Sequence, residues 1–267
     1  VNPEQVEADQ TQTVLVIDTA TESVVTGVVR VGSAGETTEL AVRSVNDHRR
    51  HAEVLTTLIR EVLDEAQFPG DSVDAVVVGI GPGPFTGLRV GMATAAAYGD
   101  ALGLPVHGVC TLDAISVTAD VPGVHVVVTD ARRREFYWAQ YSAGNDRAGR
   151  GETGRVGEPA VAAPADIAVA LESAALESAD PESADPGSTG ATTVVGAAAL
   201  TGRVAAPGTA TVDVSAPTPA GLAAVAAREI LAGSAPGPLE PMYLRRPDAV
   251  ELKDQRRRSL LPVTDRE

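Results

Sequence analysis

Past a polar opening stretch, the first hydrophobic segment is an unbroken apolar run, Val14-Leu15-Val16-Ile17, that ends at Asp18. A run this short without alternation predicts a central strand buried on both faces. After a polar turn at Thr19–Ser23, Val24–Val31 and Thr37–Val42 read as two further strands, with Gly32-Ser33-Ala34-Gly35 as the hairpin signal between them. The period then changes. From about Arg50, Val54, Leu55, Leu58, Ile59, Val62, Leu63 and Ala66 fall at i, i+3, i+4 spacing, one apolar face of an amphipathic helix. Asp47 is placed to cap it and Pro69-Gly70 to stop it. Val73–Ile80 is the next strand, followed by the glycine segment Gly81–Gly87, a helix over Leu88–Leu102, a strand over Pro105–Val109 and a short helix over Leu112–Val117. The order β-β-β-α-β-α-β-α predicts a mixed sheet with one hairpin and helical crossovers.

A second set starts at Val124. Val124–Thr129, a polar turn at Asp130–Arg134 and a strand over Glu135–Ser142 repeat the opening arrangement of a strand ending in Asp, a turn and a returning strand. The repetition of order points to a duplicated, two-lobe architecture. Residues 145–190 are dense in Ala, Glu, Ser, Asp, Gly and Pro and read as a low-complexity loop, with a near repeat in Glu177–Pro181 and Glu182–Pro186. A strand over Thr192–Val195, a helix over Pro219–Leu231 and a Pro-rich turn lead to Met242-Tyr243-Leu244-Arg245-Arg246. The expected division is a disordered leader (1–12), an N-terminal lobe (13–120), a C-terminal lobe (121–246) and a flexible basic tail (247–267).

Composition narrows the function. With 44% hydrophobic residues but only 3% aromatic, the core must be built from Val, Leu, Ile and Ala. The net charge of −15 makes the chain a poor solitary nucleic-acid binder, because such proteins displace counterions with a basic surface. The charge is uneven: from Arg245 onward seven basic residues face five acids. Arg132-Arg133-Arg134 and Arg256-Arg257-Arg258 are the two basic clusters, and such runs are usually solvated faces. The single Cys110 excludes an internal disulfide and a cysteine-cluster metal site, and reads as a small buried hydrophobe. No apolar run approaches the roughly 18 residues of a membrane span, and Val1–Gln12 lacks the apolar core of a signal peptide. A cytoplasmic protein is expected.

The most informative segment is Gly79-Ile80-Gly81-Pro82-Gly83-Pro84-Phe85-Thr86-Gly87. Glycines at a strand-to-helix junction can bring backbone amides to an anion. This is not a P-loop, since Thr86-Gly87-Leu88 stands where Gly-Lys-Ser/Thr is required; the plainer reading is a sharp turn that sets how the helix leaves the sheet. The following helix is rich in small residues, including Gly87, Gly91, Ala95 and Gly99, with Leu88 and Met92 beside them. Glycine costs up to about 1 kcal/mol in a helix interior, so its repeated use calls for close approach of something. Its own sheet and a second protein both fit.

Ile17-Asp18-Thr19-Ala20-Thr21, the helix opened by His51, Gly81-Pro82-Gly83-Pro84-Phe85-Thr86-Gly87-Leu88-Arg89-Val90-Gly91, Gly108–Leu112, Asp130-Ala131-Arg132 with Glu135-Phe136-Tyr137-Trp138, and Pro241-Met242-Tyr243-Leu244-Arg245 together resemble the TsaB (YeaZ) family, in that order. The likeness spans about residues 13 to 246 apart from the Ala/Glu/Ser-rich stretch. It implies an α/β, actin-like (ASKHA) duplicated two-lobe fold with mixed sheets, crossover helices and a degenerate nucleotide site. It also implies a non-catalytic subunit that pairs with the enzyme TsaD, with the ATPase TsaE in a larger complex. That complex transfers threonylcarbamoyl to the tRNA adenosine beside the anticodon, the t6A modification, so tRNA is met only through the complex. The partner surface expected from the resemblance and the helix patterns comprises Leu55, Leu58, Ile59, Val62, Leu88, Gly91, Met92, Ala95 and Gly99. The same faces could close a homodimer when the chain is alone.

Three nucleotide elements of that fold are altered. Ala20 stands at the glycine of the first Asp-x-Gly hairpin that starts at Asp18; Asp130-Ala131-Arg132-Arg133 replaces Asp-x-Gly-Gly; the third glycine element is at best Gly196-Ala197-Ala198. A Cβ at each glycine position obstructs phosphate approach. Neither catalytic residues nor a cofactor is therefore expected, although Gly81, Gly83, Thr86 and Gly87 remain as the glycine loop. His48 and His51 lie three apart at a helix start, but the arginines between them repel a cation and no carboxylate pattern completes a metal site. The rival readings are an active ATP-dependent transferase built on Asp18 and Asp130, and a metallopeptidase built on His48 and His51.

Overall fold

The computed structural model describes residues 11–46, 51–69, 72–143, 154–178, 192–206 and 208–245. Asp47, His48 and the 247–267 tail lie outside them, as do all but the last two residues of the expected leader and the side chain of His51. Two runs of one order make up the chain. The first is β1 (Gln12–Asp18), β2 (Ser23–Val31), β3 (Thr37–Asn46), α1 (His51–Ala66), β4 (Ala75–Gly79), α2 (Phe85–Leu102), β5 (Val106–Val109) and α3 (Thr111–Ala119). The second is β6 (Gly123–Asp130), β7 (Phe136–Ala143), β8 (Arg155–Ala162), α4 (Pro164–Ser178), β9 (Thr193–Gly196), α5 (Ala198–Thr201), β10 (Thr211–Asp213) and α6 (Pro219–Leu231).

Each run builds one five-stranded sheet, ordered β3-β2-β1-β4-β5 and β10-β9-β6-β7-β8. In both, the first three strands form antiparallel pairs and the last two add in parallel beside the first. The duplication inferred from the two Asp-terminated strands thus extends through every element. Both faces of the first sheet are covered, which is why β1 lacks alternation. Leu15 and Ile17 point to the layer of α1 and α2, while Val14 and Val16 point to α6. All four side chains are fully buried, each worth about 1.5–3 kcal/mol of transfer free energy.

The third helix of each run crosses over. α6, from the second run, closes the free face of the first sheet with Leu222, Ala223, Ala226 and Ile230 against Val14, Val29 and Val77. α3, from the first run, sets Leu112 and Ile115 against Val127, Tyr137 and Tyr141 of the second sheet. The two helices touch closely, since a Cβ at Gly221 would fall 2.8 Å from Ala114 O. Thr118 Oγ1 accepts from Thr218 N–H at 3.0 Å, and Thr218 Oγ1 in turn accepts from Gly221 N–H, capping α6. A division at residue 120 therefore separates the sheets but not the lobes, because each lobe is completed by a helix of the other half.

The expected loop at 145–190 is also corrected. Its middle holds β8 and α4, and Ile167 and Leu171, one turn apart, anchor α4 on Val126, Val128 and Phe136. Residues 145–153 and 179–190 of that stretch lie outside the described residues. Tyr137 and Trp138 point to opposite faces of the second sheet, Tyr137 into the α3 layer and Trp138, half-buried, against the α4 layer. Leu222 lies wholly inside the shared layer, so Leu222→Ala should cost about 2–5 kcal/mol. The circular-dichroism melt should stay a single transition shifted downward; two separated transitions would contradict interlocked lobes.

Candidate functional site

The ends of β1, β4, β6 and β9 converge on a cleft of about 830 Å³ between the lobes. Its walls include Ala20, Thr21 and Glu22 after β1, the Gly83–Gly87 segment at the start of α2, Asp130–Arg132 after β6, Ala197 and Ala199 after β9, and the C-terminal Tyr243 and Arg245. The three altered glycine elements therefore do meet around one space. Of the glycine loop, Gly83, Thr86 and Gly87 line the cleft, while Gly81 lies behind them beneath Leu88.

Asp18 does not face that space. Its side chain is fully buried, with Thr111 Oγ1 donating to Oδ2 at 2.7 Å and Ala20 N–H donating to Oδ1 at 3.0 Å. Gly79 makes the approach possible, because a Cβ there would lie 1.8 Å from Asp18 Oδ2. Burial pushes the carboxyl up to about 6, against the opposing effect of its hydrogen bonds. A carboxylate so enclosed ties the end of β1 to the start of α3. Asp130, by contrast, sits at the rim, where its Oδ1 accepts from Arg132 N–H at 3.2 Å.

The small residues of α2 pack against the chain itself. A Cβ at Gly83 would come within 2.1 Å of Ala20 O, and one at Gly91 within 2.3 Å of Thr19 Oγ1. Thr19 Oγ1 also donates to Gly87 O at 2.7 Å, and Gly99 admits Val106. The residues expected to form a partner surface are accordingly corrected. Leu55, Leu58, Ile59 and Val62 of α1 and Leu88, Met92 and Ala95 of α2 form one buried core with Leu15 and Ile17, and Gly91 and Gly99 are buried with them. The outward faces of these helices carry Glu61, Asp64, Ala93 and Ala97.

Two clusters went unassigned in the sequence. The first joins the C-terminal segment to both lobes. Met242 N–H donates to Ile80 O at 2.8 Å, Tyr243 stacks on Phe85 with centroids 4.7 Å apart, and Arg89 lies over Phe85 while donating to Tyr243 Oη at 3.0 Å. Arg245 then pairs with Glu135 at 2.8 Å and donates to Ala131 O. That clamp holds a strained turn. Arg132, Arg133 and Arg134 all have left-handed backbones, with φ of 62°, 52° and 66°. For residues with a Cβ this costs about 1–2 kcal/mol each. An aromatic and an arginine in a proline-flanked segment were the available signal, but their partners lie more than 100 residues away. The second cluster is Asp113, which accepts from Tyr141 Oη at 2.8 Å and from Arg155 at 2.8 and 2.9 Å. Burial raises the Asp113 carboxyl, with Arg155 opposing. Arg155 lay inside the stretch read as loop.

Cys110 is buried and its thiol is pushed up to about 12 by desolvation, so it is inert. His125 is enclosed, with Nε2 2.8 Å from Ser116 Oγ and its ring stacked on Tyr141. Among the described residues no group of three metal-ligating side chains assembles, and no helix is long and apolar enough to cross a membrane.

Two like-ordered sheets, exchanged third helices and a cleft at the strand ends define an actin-like two-lobe protein. Solved structures agree: a Pseudomonas aeruginosa protein described as similar to the peptidase YeaZ superposes with a TM-score of 0.66 at 24% identity, covering 88% of this chain and all of that one. The family model for TsaD, tRNA N6-adenosine threonylcarbamoyltransferase, matches residues 45–205. An uncharacterized Mycobacterium tuberculosis protein is 45% identical over 91% of this chain and 96% of its own length. The Escherichia coli tRNA threonylcarbamoyladenosine biosynthesis protein TsaB is 34% identical over 48% of this chain and 54% of its own. The chain belongs to the TsaD family and is a TsaB-like member of it.

Enclosure of Asp18 has a measurable sign. Its folded value of about 6 lies above the 3.8 of the free group, so its favourable contribution is complete below pH 3.8 and is lost as the pH rises through about 6. Asp18→Asn should therefore gain on the parent between pH 4 and pH 7, by up to about 3 kcal/mol. Denaturant melts across that range check it; a constant difference would mean that the carboxyl titrates normally.

Proposed function

We propose that this chain acts in t6A formation as a non-catalytic subunit that binds and organises TsaD, with TsaE joining the larger complex in the cytoplasm. The observation that carries this reading is Asp18. In an actin-like enzyme the aspartate at this strand end would face the nucleotide, whereas here it is sealed by Thr111 and the Ala20 amide. Around it, Ala20 packs on Gly83, and Ala131, Arg132 and Arg133 occupy the second turn. A phosphate finds a Cβ at each place where glycine would let it reach the backbone. The TsaB and TsaD relatives supply the pathway.

The outward faces of α1 and α2 are the surface assigned to TsaD, and they could close a homodimer when TsaD is absent. Ala93 and Ala97 sit one turn apart on the exposed side of α2. Gly91 and Ala95 are unsuitable probes, since they are buried and bulky replacements there would report on folding. Ala93→Arg with Ala97→Arg should leave the melting temperature within a few degrees of the parent, yet abolish co-purification with TsaD from the same genome and lower t6A in tRNA. Unimpaired co-purification would move the interface elsewhere. Micromolar ATP binding by the chain alone, lost in Asp18→Ala, would replace this reading with an active transferase; stoichiometric zinc would favour the metallopeptidase.

A further inference from the structure

Residues 241–245 belong to no helix or strand, yet they wall part of the cleft through Tyr243 and Arg245. Their hold alternates between the lobes. On the first, Met242 N–H donates to Ile80 O at 2.8 Å, and Tyr243 stacks on Phe85 while its hydroxyl accepts from Arg89 at 3.0 Å. On the second, the Met242 side chain packs on the cluster around Tyr137, and Arg245 pairs with Glu135 and donates to Ala131 O. Phe85 and Ala131 line the cleft from opposite lobes, so the segment spans it from wall to wall.

These fastenings differ in kind from the layer that joins the lobes. Leu112 and Leu222 are wholly enclosed, whereas Tyr243 is 40% exposed and so is the side chain of Glu135. An ion pair this open to water is worth little and is screened by salt. Contacts of that sort open at a small fraction of the global unfolding free energy. The turn on which Arg245 closes carries three consecutive left-handed residues, and its strain works against the grip. We propose that residues 241–245 form a strap across the cleft mouth that lifts as one unit while the α3–α6 layer stays intact. Tyr243 and Arg245 are its two fastenings, one on each wall. Lifting it opens the interior of the cleft, where Thr129 is only 8% exposed.

Thiol labelling of the full chain carrying Thr129→Cys reads the strap. Thr129 Oγ1 has no hydrogen-bond partner to lose, and Cys110, buried with its thiol pushed up to about 12, stays silent. Labelling by iodoacetamide under native conditions should quicken about tenfold on adding Tyr243→Ala, which removes the stacked pair. Arg245→Gln should quicken it severalfold. With Thr129→Cys alone the rate should climb as salt is raised, and with Arg245→Gln added it should not. Lifting as one unit is read by hydrogen exchange. Tyr243→Ala should speed exchange of the Ala131 and Glu135 amides, which Tyr243 does not touch, and Arg245→Gln should speed that of the Met242 amide. The amides of Val127 and Leu222 should stay as slow as in the parent. Labelling that neither substitution nor salt quickens overturns the strap, as do substitutions that each loosen only their own end. Faster exchange at Val127 and Leu222 as well overturns it too, since the segment would then support the whole fold rather than cover the cleft.

Discussion

The whole arrangement depends on how closely the start of α2 lies on the first hairpin. Gly83 meets Ala20 O and Gly91 meets Thr19, with no room for a methyl group at either contact. The Thr19 hydroxyl fastens the two elements through Gly87 O. That contact sets where α2 leaves the sheet and hence where its apolar stripe of Leu88, Met92 and Ala95 meets α1. It also brings Phe85 to the cleft edge, where the C-terminal segment can reach it. Close-packed interiors transmit such constraints because few voids are available to absorb a shift.

The second constraint is the exchange of α3 and α6. Each sheet would leave one apolar face open if its own run of chain were all it had. Leu222 and Ile230 cover β1, β2 and β4, while Leu112 and Ile115 cover β6, β7 and β9. The lobes are thus joined through a shared layer rather than a polar interface, and the cleft between the strand ends inherits their rigidity. Asp113 adds a polar tie in that layer, linking α3 to Tyr141 and Arg155. A buried pair of this kind contributes less to net stability than to fixing one arrangement.

Much of this was legible from residue order. Unbroken runs such as Val14–Ile17 marked strands buried on both faces, and the i, i+3, i+4 pattern of α1 marked its buried side. Periodicity identifies an apolar face but not what covers it, which is why Leu55, Ile59 and Met92 were assigned to a partner when the chain's own sheet covers them. The small residues of α2 carried the same ambiguity, and only the distances to Thr19, Ala20 and Val106 resolve it. In α4, composition masked the pattern, since two anchors, Ile167 and Leu171, suffice to dock a helix otherwise rich in Ala, Glu and Ser. The Arg245–Glu135 clamp and the Asp113–Arg155 pair join distant segments through charge, and charged residues look alike in sequence whether solvated or paired.

Asp18 and the arginine turn are the two halves of one change in the cleft. In a site that grips a nucleotide, acids at the strand ends hold a cation, and glycines bring backbone amides to phosphate. Here the first acid is withdrawn into the protein, where burial pushes its carboxyl up to about 6. The second, Asp130, caps the Arg132 amide at the beginning of the strained turn. Of the arginines in that turn Arg132 reaches the cleft lining, where Arg245 joins it from the C-terminal segment. Positions that are glycine in such a site carry side chains here, at Ala20 and Arg132 around the cleft. Arg245, reaching in from the C-terminal segment, holds the second of these turns in place through Glu135 and Ala131 O.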